Sequence, residues 1–192
     1  MGTLPRLSLI QACAVALKST IFKAELSIAD MDRGYYATHA LTIAQHPSET
    51  DERMMLRLVA FARHASETLE FGRGISDEED PSLWQRSLTE EIELWIDLGL
   101  PDEKRIKRAA QRANEAWIYA YGGSAADIWF GKNQSEIRRF DNLHVVSVSP
   151  EIMSGLAGLI ERTMQLQCTI QDGEMWLSSD KGSLQVVVKE MG

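Results

Sequence analysis

The chain has 192 residues, enough for one domain to bury a core. Its hydrophobic share of 44% and charged share of 25% are those of an ordinary globular protein, and no apolar run approaches the ~20 residues of a membrane span. The formal charge of -8 excludes nucleic-acid binding through the overall field and leaves such binding to a local basic patch.

The first residues hold a short apolar run, 7–17, behind a single Arg6. It loosely resembles a secretory signal, but Gln11 interrupts it and folded patterning begins at once. Residues 1–14 read as an extension and 15–192 as one domain. Residues 17–29 alternate and carry β-branched side chains, so they read as a strand. Asp30, Asp32 and Gly34 supply a turn, and 35–45 returns as the second arm of a hairpin. Ser48 then caps a helix, with Asp51 three residues on and acids in its first turn. Met55, Leu58, Val59, Ala62, Ala65 and Leu69 form its apolar stripe. Glu49, Arg53 and Arg57 follow at i, i+4 and read as surface ion pairs on its outer side.

Residues 69–73 read as a short strand and 75–82 as an acidic, solvated loop. In 92–98, Ile92, Leu94, Ile96 and Leu98 take one face, while Glu93, Trp95 and Asp97 take the other. Gly99 and Pro101 end this strand, and Pro101 suits the first turn of a helix over 102–114. Residues 115–121 read as a strand, 125–130 as a short helix, 132–136 as a polar loop, 143–148 as a strand and 150–164 as a helix. A meander follows, with an Asp172-Gly173 hairpin turn. On its first strand Gln165, Gln167, Thr169 and Gln171 share one face, which reads as an exposed sheet face. The sum is an α/β (α+β) single domain with a central mixed β-sheet flanked by helices.

Cys13 and Cys168 fit neither a metal spacing nor a disulfide framework, which points to a reduced, cytoplasmic protein. Cys168 alternates with polar neighbours and reads as buried and inert. The four histidines show no zinc-protease spacing, and no phosphate-binding glycine loop or serine elbow is present. Carboxylates are left. Glu93 and Asp97 on one strand face lie about 13 Å apart, too far to share one ion. A metal would need a second acid from elsewhere: Glu49 or Glu52 near the first helix, or Asp102 at the head of the second. Mg²⁺ held this way would keep several waters and bind phosphate oxygens. Lys104 or Lys107 would then face the phosphate, with Arg108 and Arg112 completing the basic helix. The same pattern also reads as an acidic sheet face neutralised by a basic helix, with no ion.

Four segments, HPSETDERMMLRL at 46–58, LWIDLGLPDEKRIK at 94–107, NQS at 133–135 and MQLQCTIQDGEMWLS at 164–178, resemble the YaeQ family of small bacterial proteins. Members of that family begin where Val15-Ala-Leu-Lys stands here. The resemblance implies a variant of the PD-(D/E)XK nuclease fold. In that superfamily a helix Glu, an Asp and a Glu/Asp-x-Lys stretch gather around a divalent metal. Carried over residue by residue, it implies Glu49 or Glu52 as the helix acid and Glu93 and Asp97 on the catalytic strand, with Glu49 and Asp97 as Mg²⁺ ligands and a displaced Lys107 as the remaining catalytic group. Arg53, Lys104, Arg108, Arg112 and Gln171 would bind substrate. The chain departs from the pattern, since Gly99 follows two residues after Asp97 and Trp95 two after Glu93, so a lysine on the next helix would have to substitute. Two functions follow as expectations: a Mg²⁺-dependent nucleic-acid phosphodiesterase, or a non-catalytic module that kept the fold and binds nucleic acid or protein.

Overall fold

A computed structural model describes residues 19–73 and 79–192. The opening hairpin is β1 (Thr20–Asp30) and β2 (Tyr35–Gln45), antiparallel in full register. Phe22, Ala24, Leu26 and Ile28 point inward, so the alternation in the sequence becomes one buried face and one wet face. Gly34 turns the chain at a φ of 65°, a left-handed value that a side chain would resist.

The helix that follows is α1 (Asp51–His64), and its cap is Thr50, not Ser48. The Thr50 hydroxyl accepts from the Arg53 N–H, whereas the Ser48 hydroxyl is held by His46 Nδ1 at 2.7 Å. All nine residues from Met54 to Ala62 are buried, Arg57 among them. A helix buried all round must be covered on more than one side. That is why the strands divide into two mixed sheets instead of the one central sheet expected.

The remaining elements are β3 (Leu69–Phe71), β4 (Leu83–Arg86), β5 (Ile92–Leu98), α2 (Glu103–Arg112), β6 (Ala113–Tyr121), α3 (Ser124–Ile137), β7 (Leu143–Val148), α4 (Pro150–Gly158), β8 (Thr163–Gln171), β9 (Glu174–Ser179), β10 (Gly182–Val186) and β11 (Val188–Glu190). One sheet runs β10-β9-β8-β1-β2, with β1 and β8 parallel. The other runs β11-β7-β6-β5-β4-β3, with β5, β6 and β7 parallel and joined by α2 and α3.

Two apolar clusters result. The larger joins α1 and α4 to both sheets, through residues such as Leu26, Leu56, Ile96, Leu156, Leu166 and Leu177. The smaller packs α2 and α3 on the far side of the second sheet, through Trp95, Ile106, Ile118, Ala126 and Trp129. β5 is therefore covered on both faces, as a parallel strand under a helix layer is, rather than having one wet face. α3 runs through 132–136, where a loop was expected. α4 stops at Gly158, because Met164 is needed as an inward residue of β8 opposite Ala24. The acidic loop expected at 75–82 lies partly outside the described residues. Its last part leads into β4, which the periodicity missed.

Candidate functional site

The acids expected to hold a metal are held instead by arginines. Glu49 is buried, just ahead of α1, and both of its oxygens are taken. Arg53 Nη1 donates to one at 2.6 Å and Arg57 Nη2 to the other at 2.8 Å. The trio is therefore no surface ion pair, since Arg57 and Glu49 are nearly inaccessible side chains. Arg57 also donates to the Ala44 carbonyl, and its buried Nε has no partner. Burial pulls the Arg57 guanidinium below its usual pKa, while Glu49 pulls it back. Arg53 reaches on to the Ser82 hydroxyl at 3.0 Å and to Tyr121, whose phenol is pushed up by burial. Arg53 thus sits inside this network and not at a substrate face.

Asp97 is equally committed. Arg105 meets it with two parallel bonds, 2.8 Å to Oδ2 and 2.7 Å to Oδ1, and Trp95 Nε1 donates at 2.9 Å. Arg105 also donates to the Asp80 carbonyl at 2.7 Å, so the segment 80–82 ties the two networks together. Asp102 caps α2 by accepting from the Arg105 N–H. Glu52 holds no hydrogen bond or ion pair among the described residues.

Glu93 does not join Asp97. The β4–β5 register shifts between Gln85 and Arg86, so Ile92 packs in the smaller cluster while Leu94 packs in the larger. Glu93 lies at that break and accepts from Gln85 Nε2 at 2.6 Å. Lys107, expected to reach over the sheet, turns along its own helix to Glu103 at 2.6 Å, with Glu136 of α3 at 3.7 Å. The Glu103 bond raises its pKa. Among the described residues no three His, Cys, Asp or Glu side chains gather as a metal site requires. The residues present do not fit the Mg²⁺ centre that the resemblance implied.

The other predicted residues stay on the surface. Glu103, Lys104, Lys107, Arg108, Gln111 and Arg112 line one open groove along α2. Lys104 holds no hydrogen bond or ion pair among the described residues, Arg112 lies over the Trp95 ring, and Arg108 pairs with Glu79 at 3.0 Å. Gln171 and the glutamine ladder face solvent at the far sheet. Cys168 is buried and its thiol is pushed up to about 12 by burial, in keeping with an inert residue.

A cleft of about 500 Å³ opens where the β1–β2 and β8–β9 turns of one sheet meet β4, β5 and β6 of the other, beside the last turn of α1. Of the predicted residues only Glu93 lines it. The rest of its chemistry was not anticipated. Asp30 and Arg33 form a close pair at 2.6 Å, and Asp32 accepts from the Asp172 and Gly173 N–H groups at 2.8 Å. His64 bonds the Tyr119 hydroxyl at 2.9 Å and lies against Trp117, whose other neighbour, His144, stacks at 4.6 Å. Burial first, then the charges of Arg63, Arg33 and His144, lower His64 to about 3, so it is neutral. Glu115 accepts from Trp117 Nε1 at 2.7 Å. The one signal of the cleft in the sequence was the turn at 30–34, read only as a turn.

The sequence matches the family described as "YaeQ protein" over residues 15–188. It is 48% identical over 172 residues to the protein named "Uncharacterized protein YaeQ" in Escherichia coli (strain K12), covering 90% of this chain and 95% of that one, and 47% identical to its namesake in Salmonella typhi. The crystal structure of the YaeQ protein from Xanthomonas axonopodis pv. citri superposes with a TM-score of 0.87 at 48% identity, covering 90% of this chain and 97% of that one. That of the YaeQ protein from Pseudomonas syringae gives 0.86 at 36% identity, covering 91% and 96%. With most of its length matched in sequence and in backbone, the chain belongs to the YaeQ family.

Proposed function

We propose that the protein is a non-catalytic module that binds nucleic acid through the outer face of α2. The observation that carries this reading is the groove along that helix, lined by Lys104, Lys107, Arg108 and Arg112, of which Lys107 pairs with Glu103 and Glu136 and Arg108 with Glu79, leaving Lys104 and Arg112 in excess. In a chain of net charge -8, such a patch is the local field that phosphate recognition needs. Lys104 and Arg112 are exposed and carry no carboxylate partner among the described residues, so they are the cations most open to a phosphate. The commitment of Glu49 and Asp97 to arginines favours binding over metal-dependent cleavage. Holding Mg²⁺ would require both acids to release arginine partners, the buried Arg57 and the half-buried Arg105.

The test is a salt titration of oligonucleotide binding, with single-stranded and duplex DNA and RNA. Lys104→Ala and Arg112→Ala should each weaken binding across sequences and lower the salt slope by roughly 1. Unchanged slopes would remove the α2 face from the reading. Mg²⁺- or Mn²⁺-dependent cleavage that Glu93→Gln abolishes would reinstate the phosphodiesterase.

A further inference from the structure

The cleft beside α1 presents charges that the fold itself does not use. Of its four carboxylates, Asp30 is neutralised by Arg33, and Asp32 holds the backbone of the 172–173 turn. The other two have no cation of their own side. Glu93 takes one bond from a neutral amide, Gln85, on Oε2. Glu115 takes one from an indole on Oε1, with His144 Nε2 no nearer than 3.8 Å. The two come from adjacent parallel strands, where Leu94 is the register partner of Glu115, and both line the cleft. The same cleft is lined from the last turn of α1 by Arg63, which is half-buried and makes no hydrogen bond or ion pair among the described residues. Leu94, Ile170 and Trp117 give the cleft apolar lining.

A cleft with two walls of opposite sign selects its ligand. A simple anion would meet Glu93 and Glu115. A simple cation would meet Arg63. A molecule carrying both charges satisfies both walls and adds no net charge. An unpaired guanidinium suits a carboxylate, which it can grip with two parallel bonds. About 500 Å³ lies within the range of small-molecule sites. We propose that this cleft binds a small zwitterion of the α-amino-acid class, a free amino acid or a whole dipeptide, with its carboxylate on Arg63, its ammonium between Glu93 and Glu115, and an apolar side chain against Leu94 and Trp117. Burial is the main cause of the depressed pKa of His64, and the Arg63 charge beside it on α1 adds to it. The neutral ring stays clear of the ligand's charges while it fixes Trp117 and Tyr119.

The experiment is a titration followed by NMR shifts and tryptophan fluorescence on the full chain. The probes are the free amino acids, with L-leucine compared against 3-methylbutylamine, 4-methylpentanoate and glycyl-leucine. An apolar amino acid or the dipeptide should saturate the protein, and each single-charge analogue should bind at least about tenfold more weakly. Arg63→Gln should bring the zwitterion down to the level of the amine, and Glu93→Gln, which keeps a hydrogen-bonding partner for Gln85, should bring it towards the carboxylate. Tighter binding of the dipeptide would make the ligand a zwitterion with its charges one peptide unit farther apart, and tighter binding of leucine would make it the free amino acid. The proposal is overturned if neither saturates, if a single-charge analogue binds as tightly as the zwitterion, or if Arg63→Gln binds like the parent. Arg63→Gln should keep its fold, since the side chain it removes has no hydrogen-bond or ion-pair partner among the described residues, and its circular dichroism checks this.

Discussion

Two charged regions lie at opposite ends of α1, and they spend the same residue types in opposite ways. At the N-terminal end, Glu49 is saturated by Arg53 and Arg57, and Arg105 saturates Asp97 a short way off. At the C-terminal end, Arg63, Glu93 and Glu115 share a cleft and leave ionic capacity unfilled. The first region holds elements together: α1, the 80–82 segment, β5 and α2 are all tied through it. The second also ties elements, through Asp32 to the 172–173 turn and through His64 to Tyr119, but it leaves Arg63, Glu93 and Glu115 without an oppositely charged partner at hydrogen-bond distance among the described residues. A carboxylate's neighbours, more than its presence, decide whether it is structural or available to a ligand.

Removing one partner from the saturated region gives the largest expected effect. Glu49→Ala strands Arg57, which already has one unpartnered buried nitrogen, and should cost about 3–5 kcal/mol by urea unfolding. Asp97→Ala removes two of the bonds of Arg105, which keeps its bond to the Asp80 carbonyl, and strands the Trp95 indole N–H, so it should cost less, about 1–3 kcal/mol. A loss below about 1 kcal/mol in either, the size of an exposed pair, would erase the contrast between the two regions.

His64 sharpens the contrast from the cleft side. Its folded pKa, about 3, lies below the ordinary value of 6.5. Between those values the unfolded chain binds a proton that the native protein refuses. Stability is therefore full above about 6.5 and falls as pH drops, by up to ~1.4 kcal/mol per pH unit. Unfolding midpoints followed down to pH 4 should fall more steeply for the parent than for His64→Gln. Parallel curves would mean that His64 is not buried as a neutral ring.

How much of this could be read beforehand follows from what periodicity reports. Alternation located β1, β2, β5 and β7 within a few residues, because it is a local property. It also led to Glu93, Asp97 and the α2 cations as the charged features. It could not report a second layer. Trp95 and Asp97 look solvent-facing by alternation, and only the docking of α2 buries them. The Glu49–Arg53–Arg57 spacing looks like a surface pattern, and only the sheets on both sides of α1 make it internal. The same holds for the cap: Ser48 and Thr50 are equally good hydroxyls in sequence, and His46 decides between them. The cleft was hidden for a different reason. Its residues come from positions as distant as 30, 63, 93, 115 and 173, and nothing local links them. The register break at Glu93, which turns that residue away from Asp97, arises from pairing with β4, a strand the composition of 79–86 did not announce.

The smallest expected effect sets the comparison most sharply. Arg63→Gln removes a full charge from a half-buried helix residue, the kind of change that is severe in the saturated region. Because Arg63 holds no hydrogen bond or ion pair among the described residues, the loss should stay within about 0.5 kcal/mol. It removes a cation from the last turn of α1, which costs a few tenths through the helix dipole. It also relieves His64 of a like charge, which works the other way below pH 6.5. At pH 7 only the first contribution acts, so the variant should be nearly as stable as the parent, and below pH 6.5 the second offsets it, so the variant should be relatively more stable at pH 5. A loss of several kcal/mol at pH 7 would mean that Arg63 is spent on the fold after all, and the cleft would then join the saturated region instead of standing against it.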